Sequence, residues 1–133
     1  MFKADIRILV VDDMLTMRKV VSKILRDLGY SDITQAVDGN DAWEKAKDGT
    51  FGLIISDWNM PNCTGVEFLK RVREDAKTAK TPFLLVTAEA EQHQIIEAIQ
   101  SGVDQYVVKP FTTAGLQEKL AMVYKKYAKA ATV

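Results

Sequence analysis

The sequence predicts an α/β fold: a doubly wound, five-stranded parallel sheet flanked by five helices. Three observations carry that expectation. Short apolar runs alternate strictly with amphipathic stretches of helical period. The connections between them are too short for antiparallel excursions. The first run also lacks a polar face beyond Arg7, as a strand covered on both sides requires.

The first strand is read from Ile6 to Val11, and it ends abruptly at Asp12 and Asp13. Met17, Val20, Val21, Ile24, Leu25 and Leu28 then recur at helical spacing, with Gly29 placed to end the helix. A weak strand near Ile33 to Val37 precedes a helix from about Asn40 to Lys47, with Ala42, Trp43 and Ala46 inward and a stop at Gly49. Phe51 to Ser56 forms the third strand and ends at Asp57. The turn-rich loop Asn59 to Gly65 leads to a helix built on Val66, Leu69 and Val72. A fourth strand follows Pro82 and ends at Thr87. Ile95, Ile96, Ile99 and Val103 mark a fourth helix, Tyr106 to Val108 a fifth strand closed by Lys109-Pro110, and Leu116, Leu120, Val123, Tyr124 and Tyr127 a fifth helix.

Length and composition set the limits. At 133 residues and 47% hydrophobic the chain suits one domain over residues 1–133 with one continuous core, its tail poorly tied down from about Lys129. Lys and Arg balance Asp and Glu at 18 each, which offers no general attraction to nucleic acid or an anionic membrane. The lone Cys63 cannot form an internal disulfide, no secretion-type N-terminal segment is present, and the apolar runs are too short for a membrane span. A cytoplasmic protein is the expectation.

In an open parallel sheet the carboxyl ends of the strands share one edge, where ligands bind near the reversal of strand order. Here that edge receives Asp12 and Asp13 from strand one, Asp57 from strand three, Thr87 from strand four and Lys109 from strand five. Two unit charges about 4 Å apart interact by roughly 4 kcal/mol at an effective dielectric near 20, so three crowded carboxylates need positive charge among them. Lys109 offsets part of it, and an oxygen-rich acidic pocket suits Mg²⁺. Metal-assisted phosphoryl transfer follows, because an Asp carboxylate can accept a phosphoryl group while a cation and a lysine stabilise its oxygens. Taken singly the residues have plainer readings: Asp12 or Asp13 as a helix cap, Thr87 as a strand-end hydroxyl, Tyr106 as a half-buried strand residue.

The stretches VVDD (Val10–Asp13), SDWNMP (Ser56–Pro61), VTAEA (Val86–Ala90) and VVKPF (Val107–Phe111) closely resemble the response-regulator receiver family, and within it the single-domain chemotaxis regulators. The resemblance implies a flavodoxin-like architecture, with Asp57 as phosphoacceptor. It implies Mg²⁺ held by Asp13, Asp57 and the backbone carbonyl of Asn59, with Asp12 acting mainly through a bound water. Lys109, joined to Pro110 by a cis bond, and Thr87 would contact the phosphoryl oxygens, and Tyr106 would turn into space that Thr87 vacates. Asn59 and Glu89 would tune dephosphorylation. The implied partner surface is Ala90, Ile95, Ile99, Tyr106, Val108, Phe111 and Lys119.

The resemblance further implies a monomeric signalling switch rather than an enzyme, a CheA-like histidine kinase as phosphodonor, a flagellar switch protein or other motility target, and a phosphatase. Three residues depart from the chemotaxis pattern: Glu91 and Gln92 stand where basic residues are typical, and Met122 replaces a common lysine. A non-flagellar target or a phosphate sink therefore stays open. An aspartate-nucleophile phosphatase is disfavoured by motif order, and a flavin carrier by the acidic rim. His93 is read as a solvated outer-face residue, Cys63 as an incidental loop thiol, and Lys119, Lys125, Lys126 and Lys129 mostly as a solvated helix face.

Overall fold

The computed structural model describes residues 1–88 and 92–131. Strands β1 (Arg7–Val11), β2 (Asp32–Ala36), β3 (Leu53–Asp57), β4 (Phe83–Thr87) and β5 (Gln105–Val108) alternate with helices α1 (Leu15–Asp27), α2 (Gly39–Ala46), α3 (Gly65–Glu74), α4 (Gln92–Gln100) and α5 (Thr113–Ala131). The strands form one parallel sheet in the order β2-β1-β3-β4-β5. The chain runs outward from β1 to β2 and then returns to β3, so strand order reverses between β1 and β3. The expected fold class is the observed one. No helix among the described residues is long and apolar enough to cross a membrane.

Alternation along the strands sorts the core into two layers. Leu9, Val11, Ile54, Phe83 and Leu85 face one side, where Ala42 and Ala46 of α2, Val66, Phe68, Leu69 and Val72 of α3 and Ala98 of α4 cover them. Ile8, Val10, Leu53, Ile55, Leu84, Val86 and Val107 face the other, under Val21 and Leu25 of α1 and Leu116 and Leu120 of α5. Runs such as Ile8 to Val11 contain no polar residue because both of their faces are covered.

Two helical stripes differ from expectation. In α1, Val21 and Leu25 point at the sheet while Val20 is 43% exposed, since the buried arc is narrower than the apolar stripe. In α4 the inward position is Ala98, which leaves Ile96 and Ile99 46% and 61% exposed. Periodicity identified both helices, but it assigned these side chains to the core.

A polar hub at the opposite end of the sheet from Asp57 was not legible in the sequence. The Asp104 carboxylate, 3% exposed, pairs with Arg73 at 3.1 Å and Lys126 at 2.7 Å. It also accepts hydrogen bonds from the Phe83 N–H at 2.8 Å and the Tyr127 hydroxyl at 2.9 Å. Arg73 further donates to the carbonyls of Gly102, Ala79 and Thr81. Burial and the neighbouring Asp104 charge push the Tyr127 hydroxyl well above its ordinary range. One carboxylate thus ties α3, β4 and α5 together, and Lys126 belongs to this hub rather than to a merely solvated face.

Removing one partner of a buried ion pair strands the other charge. Asp104→Ala is therefore expected to cost about 3–5 kcal/mol, read as a lower urea midpoint with an unchanged slope. Lys126→Ala, which removes an exposed partner, should cost less than about 1 kcal/mol in the same measurement.

Candidate phosphoryl-transfer site

The ends of β1 and β3 meet at the reversal point, and each delivers acid. Asp12 follows β1, its N–H donating to the Ala36 carbonyl at 3.1 Å, and Asp57 is the last residue of β3. Both are buried, at 5% and 7% exposure, while Asp13 is exposed. Carboxylate oxygens of Asp12, Asp13 and Asp57 lie within 4.8 Å of one another. Lys109 reaches in from the end of β5, its Nζ 3.0 Å from Asp57 Oδ1 and 3.5 Å from Asp12 Oδ2.

Backbone contacts hold these groups in place. The Met14 N–H donates to Asp12 Oδ1 at 2.9 Å, and Arg18 Nη1 donates to the Asp12 carbonyl at 2.8 Å while its Nε donates to Gln35 at 3.0 Å. The N-cap of α1 is Met14, without a side-chain cap bond, so neither Asp12 nor Asp13 caps that helix. Thr87, buried at the end of β4, accepts the Lys109 N–H on its carbonyl at 2.7 Å. The Lys109-Pro110 bond is cis, as expected.

Burial raises the Asp57 carboxyl above its ordinary range; the Lys109 hydrogen bond opposes this and the Asp12 charge adds to it. Asp12 is likewise raised by burial, against the Met14 N–H and Lys109, with Asp13 adding to the rise. For Lys109, burial favours the neutral amine, but the Asp57 hydrogen bond and the Asp57 and Asp12 charges together outweigh it and leave the ammonium raised. The pocket is thus short of positive charge, and its donors are hard oxygens. That donor set fits a small divalent cation such as Mg²⁺.

The remaining candidates divide between two faces. Asn59 is exposed at the start of the β3–α3 loop, and Trp58 beside it is buried. Tyr106 is half-buried against the α3 and α4 side of the core, with Lys119 Nζ 5.4 Å from its ring. Val108, Ile96, Ile99 and Met122 are exposed on α4, β5 and α5, and Ile95 is half-buried. Phe111 does not join them. It packs on the α1 side of the sheet, lining an apolar cavity of about 390 Å³ with Met17, Val20, Lys109 and Pro110. Glu89, Ala90 and Glu91 lie outside the described residues, as do the side chains of Gln92 and His93. Cys63 is a buried thiol packed against α2, so its loop position hides a structural contact.

Comparison with known proteins gives a consistent match. Residues 8–121 match the response regulator receiver domain. The chain is 46% identical over 122 residues to the chemotaxis protein CheY-3 of Vibrio cholerae, covering 92% of this chain and 94% of that protein. It is 46% identical over 120 residues to the chemotaxis protein CheY of Pseudomonas aeruginosa, covering 90% and 97%. Among solved structures, CheY4 of Vibrio cholerae superposes with a TM-score of 0.84 at 39% identity, covering 90% of this chain and 99% of that one. The receiver domain of the sensor histidine kinase PA1611 from Pseudomonas aeruginosa, with a magnesium ion coordinated in its active site cleft, superposes at 0.80 with 29% identity, covering 90% and 98%.

A carboxyl raised on folding favours the folded state while protonated, and that advantage is lost as pH rises through the raised folded value. Asp12→Asn keeps an acceptor for the Met14 N–H and removes the charge. With chelator present it should melt above the native chain at pH 7, and the gap should close as pH falls toward 3.8, the ordinary carboxyl value. A lower melting temperature at pH 7 would contradict the assigned cost of burial.

Proposed function

Because this chain belongs to the response regulator receiver family, and so is a two-component response regulator, we propose that Asp57 accepts a phosphoryl group from a partner histidine kinase. The observation that carries this reading is the Lys109 ammonium bridging Asp57 and Asp12 beside Asp13 at the strand-order reversal. Residues 1–133 act on this reading as a single receiver domain in the cytoplasm, a monomeric switch with no chemical output other than its own phosphorylation and dephosphorylation.

In the transfer step an Asp57 carboxylate oxygen forms a bond to phosphorus as the donor's phosphorus–nitrogen bond breaks. The released imidazole nitrogen keeps the electron pair and takes a proton from solvent. Asp13, Asp57 and the Asn59 carbonyl would hold Mg²⁺, with Asp12 acting through water, and the ion when bound would supply positive charge for the phosphoryl oxygens. Lys109 turns from Asp57 to one of those oxygens, and the Thr87 hydroxyl donates to another. The Thr87 carbonyl is bonded to the Lys109 N–H and Thr87 pairs with Val108 in the sheet, which supports coupling of the pocket to Tyr106. Asn59 and Glu89 tune water access and hence the lifetime of the acyl phosphate.

The similarity to chemotaxis proteins supports a CheA-like kinase as donor, a flagellar switch protein or other motility component as target, and a phosphatase as a third partner. The target would dock on Ala90, Ile95, Ile99, Tyr106, Val108 and Lys119. A second reading, a non-flagellar target or a phosphate sink, is favoured by the surface chemistry: Met122 is 44% exposed on that face, and Glu91 and Gln92 add no positive charge.

Incubation with acetyl phosphate and Mg²⁺ is expected to add one phosphoryl mass to the native chain and none to Asp57→Asn, with chelator abolishing the product. Equal labelling of Asp57→Asn would overturn the assignment of the acceptor.

Docking is tested separately. Replacing Glu91, Gln92 and Met122 by Lys should strengthen phosphorylation-dependent binding to an acidic flagellar switch peptide at low salt, chiefly through the association rate. No gain would assign the native chain to a different target.

A further inference from the structure

The β3–α3 loop, which carries the Asn59 carbonyl, is held at its far end and across its middle by contacts that admit no side chain. At its far end a Cβ on Gly65 would stand 2.2 Å from the Asp57 carbonyl oxygen, and the Gly65 N–H donates to the Trp58 carbonyl at 2.9 Å. Across its middle a Cβ on Gly39 would stand 2.4 Å from Cys63 Sγ, 2.7 Å from Cys63 Cβ and 2.8 Å from the Cys63 carbonyl oxygen. That same carbonyl accepts the Gly39 N–H at 3.2 Å. Beside it Asn62 adopts φ 68°, a left-handed conformation costly for most side chains, and donates its amide to Asp38 Oδ2 at 3.2 Å. Asp38 also caps α2, accepting the Asp41 N–H at 2.8 Å.

Gly39 opens α2 and Asp38 caps it, and this helix supplies no carboxylate or lysine to the acidic pocket. Their contacts instead fall on Asn62 and Cys63, within the short segment between Trp58 and Gly65. We propose that Asp38 and Gly39 are positioning residues for the Mg²⁺ site: by seating Asn62 and Cys63 against the start of α2, they set where the Asn59 carbonyl stands relative to Asp57. The proposal rests on the metal reading given above. Mg²⁺ accepts only near-ideal octahedral geometry with bonds of about 2.0–2.1 Å, so a loop shift of a few tenths of an ångström is felt in affinity before it is felt in folding. Cys63 takes its meaning from the same contact, since its thiol fills the space that any side chain at residue 39 would need.

The test is a Mg²⁺ titration of native protein, Gly39→Ala and Asn62→Gly, followed by Trp58 fluorescence and paired with urea unfolding in chelator. Gly39→Ala is expected to weaken Mg²⁺ binding about tenfold or more, as loss of an outer support of a metal ligand does. Asn62→Gly, which keeps the left-handed turn and deletes only the tether to Asp38, is expected to weaken binding in the same direction with its urea midpoint little changed. Should Gly39→Ala not fold, Asn62→Gly decides alone. Variants that unfold earlier yet bind Mg²⁺ within about twofold of native would overturn the positioning role, because outer supports of metal ligands cost far more than that. If the native chain shows no Mg²⁺ response at all, the metal reading itself falls, an outcome distinct from the first.

Discussion

The structure is organised around a charge that must be neutralised. Asp12 and Asp57 are buried side by side at the end of the sheet, and each is raised by that burial. Two carboxylates so placed are tolerable only with a cation between them, and in this structure the Lys109 ammonium supplies it. The demand propagates outward. Lys109 must come from β5, β5 must pair with β4, and the Lys109 N–H closes on Thr87. The parallel sheet is thus a device for bringing residues from distant parts of the chain to one rim with fixed spacing. A phosphoryl group and a divalent cation are the partners that such a rim, short of positive charge yet rich in oxygen, is suited to hold together.

Much of this was legible in the sequence because strand ends are sharp. Asp12, Thr87 and Lys109 each follow an apolar run directly and Asp57 follows one with only Ser56 between, and the sheet brings them to one edge as that pattern requires. Helix faces were read less well. Val20 and Ile99 lie in apolar stripes of correct period, yet both are exposed, because periodicity states which side a residue is on and not how much of that side the sheet covers. Phe111 sits in a motif with Lys109, and nothing in the motif says that its ring turns to α1 instead of toward Tyr106.

Contacts made across long stretches of chain were not legible at all. Asp104 looks like one more acid between a helix and a strand, but its partners Arg73 and Tyr127 are 31 and 23 residues away. Gly39 and Cys63 carry no local signal either, since the need for a missing side chain appears only when two segments meet. In both cases the informative quantity is a distance between segments, and no window along the sequence contains it.

The Asp104 hub has a mechanical consequence. It bolts the C-terminal part of α5 to α3 and β4 through Lys126 and Tyr127, whereas the helix begins at Thr113, four residues after Lys109. Between these points lies roughly 20 Å of helix at about 1.5 Å per residue. Leu116 and Leu120 are fully buried along this stretch, so the near end of α5 is seated on the sheet by apolar contact and its far end by the charges of the hub. Lys119 and Met122 lie between these two anchors, so the surface they present is carried on a helix fastened by apolar packing at one end and by ion pairs at the other.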